Sequence, residues 1–486
     1  MTGFHSIIGN SITVQCCSPN ANPNPSCPVH PSCFPIFVPA NDPVFGPLGT
    51  TCMEFVRSKP APVTGCSLRI RVPVNGVASY IDASHMYGNK DSDAARLRSG
   101  SGGMLKINDS PLIKAQNVVM VPGGSDALAC VAPSPDRKCV DAGDIRVNLH
   151  TGLVALHSLF LREHNRIAQF LFTRLPGATD ETTFQMTRKI VGAMVQHISY
   201  KEMIPLILGR RLYNDGRNGV ALRDTGYSNS YNPDVDATVT VEFAAAAFRL
   251  HTLAGNELPV LQDNGTETPF FLHFFNPNMW YKAGVLDQLI AGMARKRAQN
   301  FDVDFSFVFQ NQMYKPPNRS TGFDQLAMNV QRGRDHGVPT YLQMRKFCGL
   351  PPINSLSDLE RVTSPQNAAN LASIYKNIND VDFFAGGMSE KPVNGEGLSG
   401  PTFACILTEQ FRRLKNGDRF FYENENVFTP SQLQEIRKVS LATIMCLNSP
   451  INNVQARVLE AHSATNPLMS CQDIIARSSM RLDAFL

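Results

Sequence analysis

The chain has 486 residues, 18% of them charged and 43% hydrophobic, and a formal net charge of +4. That balance belongs to an ordinary globular protein with enough apolar residues for a sizeable core. It excludes nucleic acid as a primary partner, because no Lys/Arg block or basic stripe accompanies the small positive charge, and no apolar run reaches the roughly 18 residues of a membrane span.

Twelve cysteines, an even number, predict disulfides and an oxidising compartment. Their spacing contains no paired CxxC zinc pattern. Acceptor triplets at Asn108, Asn264 and Asn318 agree with secretion. The start, MTGFHSIIGNS, lacks the basic and apolar regions of a signal peptide. The expectation is that the natural N-terminus lies upstream of this sequence.

In chain order, residues 1 to about 65 are rich in Pro, Asn, Ser and Cys and predict loops pinned by disulfides among Cys16, Cys17, Cys27 and Cys33. In the segment Ser79–Ser84, SYIDAS, Asp82 is placed to cap a helix. Arg146 stands two residues after Asp144, as a capping or surface arginine would. From Val147 the reading turns helical. Leu153, Leu156, His157, Phe160, Leu161, His164, Ile167 and Ala168 follow a three-and-four rhythm. The polar cluster Arg162 to Arg166 on that helix ties helices together and is assigned no chemistry. Ile190–Leu208, Val241–Leu253 and Gln432–Ile444 are further helices, the last opened by Thr429 and Pro430 as cap and first turn. His251 ends an Ala-rich run, where small residues admit a flat ligand close to the backbone; a buried histidine bonded to a carbonyl is the plainer reading. Loops at Tyr227–Asp234 and Lys315–Gly322 separate the helices, and no repeat or low-complexity linker is found. Cys130–Cys139, Cys348–Cys405 and Cys446–Cys471 are candidate pairs. The fold class expected is mainly α: one large helical domain over residues 1–486 with disulfide-pinned loops and little β.

Asn329–Pro339, NVQRGRDHGVP, is the most informative stretch. It packs Asn329, Arg332, Arg334, Asp335 and His336 into eight residues, a density that calls for buried, paired charges. A salt-bridged helix is one reading. The other is the support of a site: guanidinium groups suit carboxylates, and an Asn can hold the ring N–H of a metal-bound histidine.

This stretch resembles the signature of the animal-type haem peroxidases. SYIDASHMYGN, AGDIRVN, LREHNRIA, KIVGAMVQHISYKEMIPLILG, AAFRLHTL, FAGGMSE and GDRFFYEN resemble blocks of the same family in the same order, from about Cys16 to about Cys471. The resemblance implies His251 as the proximal ligand of haem iron, Asn329 accepting its other ring N–H, and Arg332 pairing with a haem propionate. Arg146 would stabilise charge on the leaving oxygen of peroxide. Asp82, Ser84 and the Tyr80 carbonyl would form a partial calcium site, with Ala78 where the family has Thr. Cys52 would pair with Cys66.

The chain departs from the family in three places. Only Leu250 separates Arg249 from His251 where the family has two residues; a lost residue rotates a helical side chain by roughly 100° unless a bulge absorbs it. No Gln-x-x-Asp-His-Asp distal motif occurs; forcing Met1–Gln15 onto it puts Gly9 and Asn10 at its Asp and His, and the reading preferred here places that helix before Met1. Leu149 stands where a Glu would esterify the haem, so at most one covalent link is expected, and the adjacent His150 is expected at the surface, with the pocket lining as its other place.

The function implied is a secreted peroxidase using b-type haem and hydrogen peroxide to oxidise phenols, tyrosyl groups or halides. Calcium is a second possible cofactor, the extracellular matrix or cell surface a possible setting, and response to oxidative stress a possible role. The alternative is a haem-binding or adhesive matrix protein impaired in catalysis, although no Arg-Gly-Asp motif is present.

Overall fold

A computed structural model describes residues 14, 16–17, 30–62, 70–261, 265–316 and 319–486. The elements that matter below are helices α1 (Thr151–Arg174), α2 (Asp180–Ile198), α3 (Val285–Arg295), α4 (Gln325–Asp335), α5 (Tyr341–Phe347), α6 (Phe383–Ser389) and α7 (Leu441–Asn448). Three antiparallel pairs supply the sheet structure: β1 (Ile36–Phe37) with β2 (Cys52–Met53), β3 (Glu257–Leu261) with β4 (Glu267–Pro269), and β5 (Asn453–Gln455) with β6 (Leu468–Ser470). The protein is helical with little β, as expected. Among the described residues no helix is long and apolar enough to cross a membrane.

The chain forms two compact units, each built from three segments. The first takes residues 1–76, 239–256 and 299–410; the second takes 77–238, 257–298 and 411–486.

In the first unit, β1 pairs Ile36 with Met53 and Phe37 with Cys52. The Glu54 carboxylate accepts the backbone N–H groups of Cys16 and Cys17, each at 2.8 Å. This clamp decides the disulfides: Cys16 bonds Cys33 and Cys17 bonds Cys52. The expected Cys52–Cys66 pair is therefore wrong, because strand pairing and Glu54 bring Cys17 to Cys52 first; Cys27 and Cys66 lie outside the described residues. Asp324 caps α4 by accepting from Leu326 and Ala327. The FAGGMSE block explains itself at α6, where a Cβ on Gly386 would strike the Tyr341 ring and one on Gly387 the Phe403 ring. Beyond α6, Glu390 is fully enclosed by donors from Tyr341, Arg345 and Thr402 at 2.5–2.8 Å.

Asp335 is the hub of this unit. Its side chain has no exposure. It accepts from Arg57 Nε at 2.8 Å, Ser58 N at 2.8 Å and Arg332 at 2.8 Å, with Arg71 at 3.4 Å. These donors hold its carboxyl below the ordinary carboxylate range against the upward push of burial.

The second unit is organised on α1, capped at its start by the turn around His150 and buried along much of its length. Its apolar face is broader than the rhythm suggested: Val154, Ala155 and Leu159 are buried, while Leu156 is 37% exposed. The LREHNRIA block is structural. Arg162 reaches Asp287 on α3 and the Asn448 carbonyl at the end of α7, both at 2.8 Å. Glu163 accepts from Arg166 and from Asn448, and His164 bridges Tyr87 and the Gly103 carbonyl. Cys130–Cys139 and Cys446–Cys471 close loops here and Cys348–Cys405 in the first unit, all three as expected.

Two helical expectations need correction in this unit. Ile190–Leu208 is not one α-helix: α2 passes into a π turn, Ser199–Met203, before a short helix to Leu208. Gln432–Ile444 splits into Pro430–Ile436, with the Thr429 cap as expected, and α7. The split occurs because Ser440 caps Thr443 and Glu202, on the π turn, accepts from Leu441 N at 2.9 Å. Together they start a new helix at Leu441, with four residues intervening after Ile436. Asn108 is not a glycan acceptor in this fold. It is 3% exposed, and its amide nitrogen donates to the Val121 carbonyl and the Tyr281 hydroxyl. Asn264 and Asn318 fall outside the described residues.

Replacing Asp335 by alanine strands a buried arginine, Arg332. Asp335→Ala is expected to lower stability by about 3–5 kcal/mol, read as a shifted chemical-denaturation midpoint of the oxidised protein. A loss below about 1 kcal/mol, the level of an exposed pair, would show that the hub is not a stabilising centre.

Candidate active site

The proximal residues all belong to the first unit. The chain is helical from Val241, and Phe243–Ala247 forms a π turn in which Phe248 N donates to the Phe243 carbonyl at 2.9 Å. Phe243 and Phe248 stack at 4.8 Å with nearly parallel rings. The helix expected over Val241–Leu253 therefore stops early, because the wider turn and the stacked rings take the backbone out of α geometry at Phe248. A short 3₁₀ turn, His251–Leu253, follows. It is held where Gln299 N donates to the Leu253 carbonyl and the buried Thr252 hydroxyl to the Asn300 carbonyl.

His251 Nδ1 is buried and has no hydrogen-bond partner. Burial, and next the charge of Arg249, push the imidazole down to about 3, so it is neutral at physiological pH and fit to donate to a metal. The Asn329 oxygen does not hold it. Asn329 Oδ1 accepts from Arg249 and from Gln325, both at 2.7 Å. Arg332 is likewise committed elsewhere: one nitrogen donates to Asp335, Ser58 Oγ and the Val56 carbonyl, and the guanidinium lies 4.0 Å over the Phe55 ring. Arg249, to which the sequence assigned no role, is a buried cation bonded to a neutral amide. Burial pushes it down to about 10, with the charge of Arg332 the next cause. Its one-residue displacement relative to the family was the available signal.

Arg146 lies in the second unit. Asp144 caps the 3₁₀ turn Ile145–Leu149 by accepting from Arg146 N, and also takes Arg146 Nε at 2.8 Å and a terminal nitrogen. Asn148 pins this loop through two bonds of 2.8 Å to the Val140 backbone. Gly143 is required, since a Cβ there would collide with the Ser84 and Gly88 backbone. Nearby, His85 and His157 meet edge-to-face at 5.2 Å, and the His157 ring leaves a buried nitrogen without a partner.

His150 is half-buried and not fully exposed at the surface. Its ring meets Phe270 at 5.1 Å, its Nδ1 is buried, and burial pushes it down to about 3. The backbone pairing of His150 with Phe274 delivers it there. Asp82 Oδ1 accepts from Ser84 N at 2.9 Å, but Ala83 is the N-cap of the helix Ser84–Tyr87 and no side chain caps it, contrary to the capping expectation; Tyr80 is exposed. Among the described residues no three His, Cys, Asp or Glu side chains gather as a metal cluster.

The donor set fits haem at one point, a neutral histidine with a partnerless buried nitrogen. Asn329 and Arg332 are engaged with other protein groups.

A model of the animal haem peroxidase family matches residues 3–459. The chain belongs to that family. It is similar to chorion peroxidase of Drosophila melanogaster, 34% identical over 480 residues, covering 95% of this chain and 57% of that protein. It is 35% identical over 471 residues to peroxidasin homolog pxn-2 of Caenorhabditis elegans, covering 90% of this chain and 34% of that protein. The chain thus spans between a third and three-fifths of these relatives. Among solved structures, peroxidase A of Dictyostelium discoideum matches with a TM-score of 0.71 and 28% identity over 90% of this chain and 82% of that chain. Oryza sativa fatty acid alpha-dioxygenase matches at 0.65 and 21% identity over 87% and 71%, a likeness of fold alone.

This family member buries many of its histidines in neutral form. His85, His150, His197 and His251 are pushed down to about 3, and His164, His273 and His336 to about 4, burial being the largest cause in each. The unfolded chain protonates them near pH 6.5. Each folded value lies below its unfolded one, so their contribution is complete above about pH 6.5 and is lost as pH falls from there towards 4. The melting temperature is expected to be flat above pH 7 and to drop steeply between pH 6.5 and 4.5; a flat profile down to 4.5 would refute this.

Proposed function

We propose that residues 1–486 form the peroxidase domain of a secreted enzyme that uses hydrogen peroxide to oxidise small donors such as phenols, tyrosyl groups or halides. The observation that carries the reading is the neutral His251 with its partnerless buried nitrogen, within a family match that runs through both units. Bound haem supplies the redox chemistry with peroxide. His251 holds its iron as a neutral donor. Arg146, oriented by Asp144, would supply a guanidinium to stabilise negative charge on peroxide oxygen. Arg332 serves a propionate only by sharing its charge with Asp335. The five disulfides among the described residues support an oxidising compartment, and an extracellular matrix or cell-surface setting and a part in oxidative stress belong to the same reading. For calcium at Asp82, Ser84 and Tyr80, the support is a second carboxylate: burial raises Asp418, and the charge of Asp82 contributes.

The second reading, a haem-binding protein impaired in catalysis, is favoured by one specific observation. Arg146, Arg332 and Asn329 are each satisfied by neighbours in the protein.

Reconstitution with haem, followed by a peroxide-dependent phenol oxidation assay, tests both. Wild type is expected to give a haem Soret band and turnover, and His251→Ala to lose the band. Haem uptake with turnover lower by about 10²–10⁴-fold, the contribution of a general acid–base group, would select the second reading. Retention of the band in His251→Ala would remove His251 as the ligand.

A further inference from the structure

The Asn329 oxygen takes two donors, and His251 is not one of them. An amide oxygen has two lone pairs. Those of Asn329 receive Arg249 and Gln325 Nε2, each at 2.7 Å. Two donors on the same atom also fix which end of the amide is oxygen. Its nitrogen, the Arg249 Nε and the His251 Nδ1 are all buried with no partner. The cause lies in the chain itself. With Leu250 alone between Arg249 and His251, and the π turn Phe243–Ala247 before them, the guanidinium arrives at Asn329 in place of the imidazole.

We propose that Arg249 is a positioning residue that holds Asn329 and leaves the iron-binding histidine without an anchoring hydrogen bond. This rests on His251 as the haem ligand. A ring N–H bonded to an acceptor makes imidazole a stronger donor to its metal. His251 lacks that bond, so it is a weaker donor, and the ferric state gains less from it. The reduction potential of the haem protein is then more positive than the same fold would give with Asn329 free.

The test uses the haem-reconstituted full chain and reads the reduction potential and the ferrous iron–histidine stretching frequency. R249L frees the Asn329 oxygen for His251; the expected result is a more negative potential and a higher stretching frequency. The double variant R249L/N329L removes the acceptor and is expected to return both towards wild type. N329L alone should leave both where wild type has them. A positive shift in N329L, or no shift in R249L, would overturn the proposal by showing that His251 already has its bond. Nitrogen-15 NMR of the histidine rings in the apo protein covers variants that fail to fold or load. A His251 ring N–H in fast exchange with water supports the proposal, and a protected, hydrogen-bonded one overturns it. Absence of haem uptake by wild type would defeat the haem reading separately, and the apo spectrum would still report on the ring.

Discussion

A carboxylate at the C-terminal turn of a helix is in the wrong place for the helix dipole, and one with no solvent exposure is worse placed still. Asp335 is both. It is tolerable only because Arg57, Ser58 N, Arg71 and Arg332 converge on it. That convergence fastens the segment after β2 to α4, while Glu54 and two disulfides fasten the residues before β1 to the same segment. The first unit has no large sheet to organise it, and this buried charge takes that role.

The same interaction sets what α4 offers the site. With its C-terminal end fixed at Asp335, Asn329 and Gln325 project from earlier turns, buried and bonded to each other. Arg332 is drawn into the hub, which removes much of its free charge. The local pairing of Arg146 with Asp144 follows the same logic in the second unit. Arg249 differs, since its bond goes to a neutral amide. A buried guanidinium against an amide is costly unless it serves something, and here it determines who holds Asn329.

The fold alone does not choose the chemistry. The same architecture is shared with a peroxidase and, at lower identity, with a fatty acid alpha-dioxygenase. Chemistry is set by the side chains a fold carries. In this chain Arg249, separated from His251 by Leu250 alone, bonds Asn329.

Much of the molecule was legible in the sequence because its causes are local. Apolar periodicity marked α1, an apolar run marked the second half of α2, Thr429 and Pro430 marked a helix start, and three of the loop-closing disulfides followed from cysteines near in sequence or in order. The ordered family blocks placed His251, Arg146 and the signature on α4. Other features were decided only when distant segments met. Cys17 found Cys52 through strand pairing and the Glu54 clamp. His150 was set half-buried beside Phe270 by its pairing with Phe274, and α7 began where Glu202 met Leu441. The two π turns have no local signature, because one extra residue in a helix is stabilised by what packs against it. Asn329 was readable as a polar support for a ligand histidine, but a side-chain amide cannot name its own donor. That choice belongs to whichever group the backbone brings within 3 Å, and the shortened link between Arg249 and His251 brought the guanidinium.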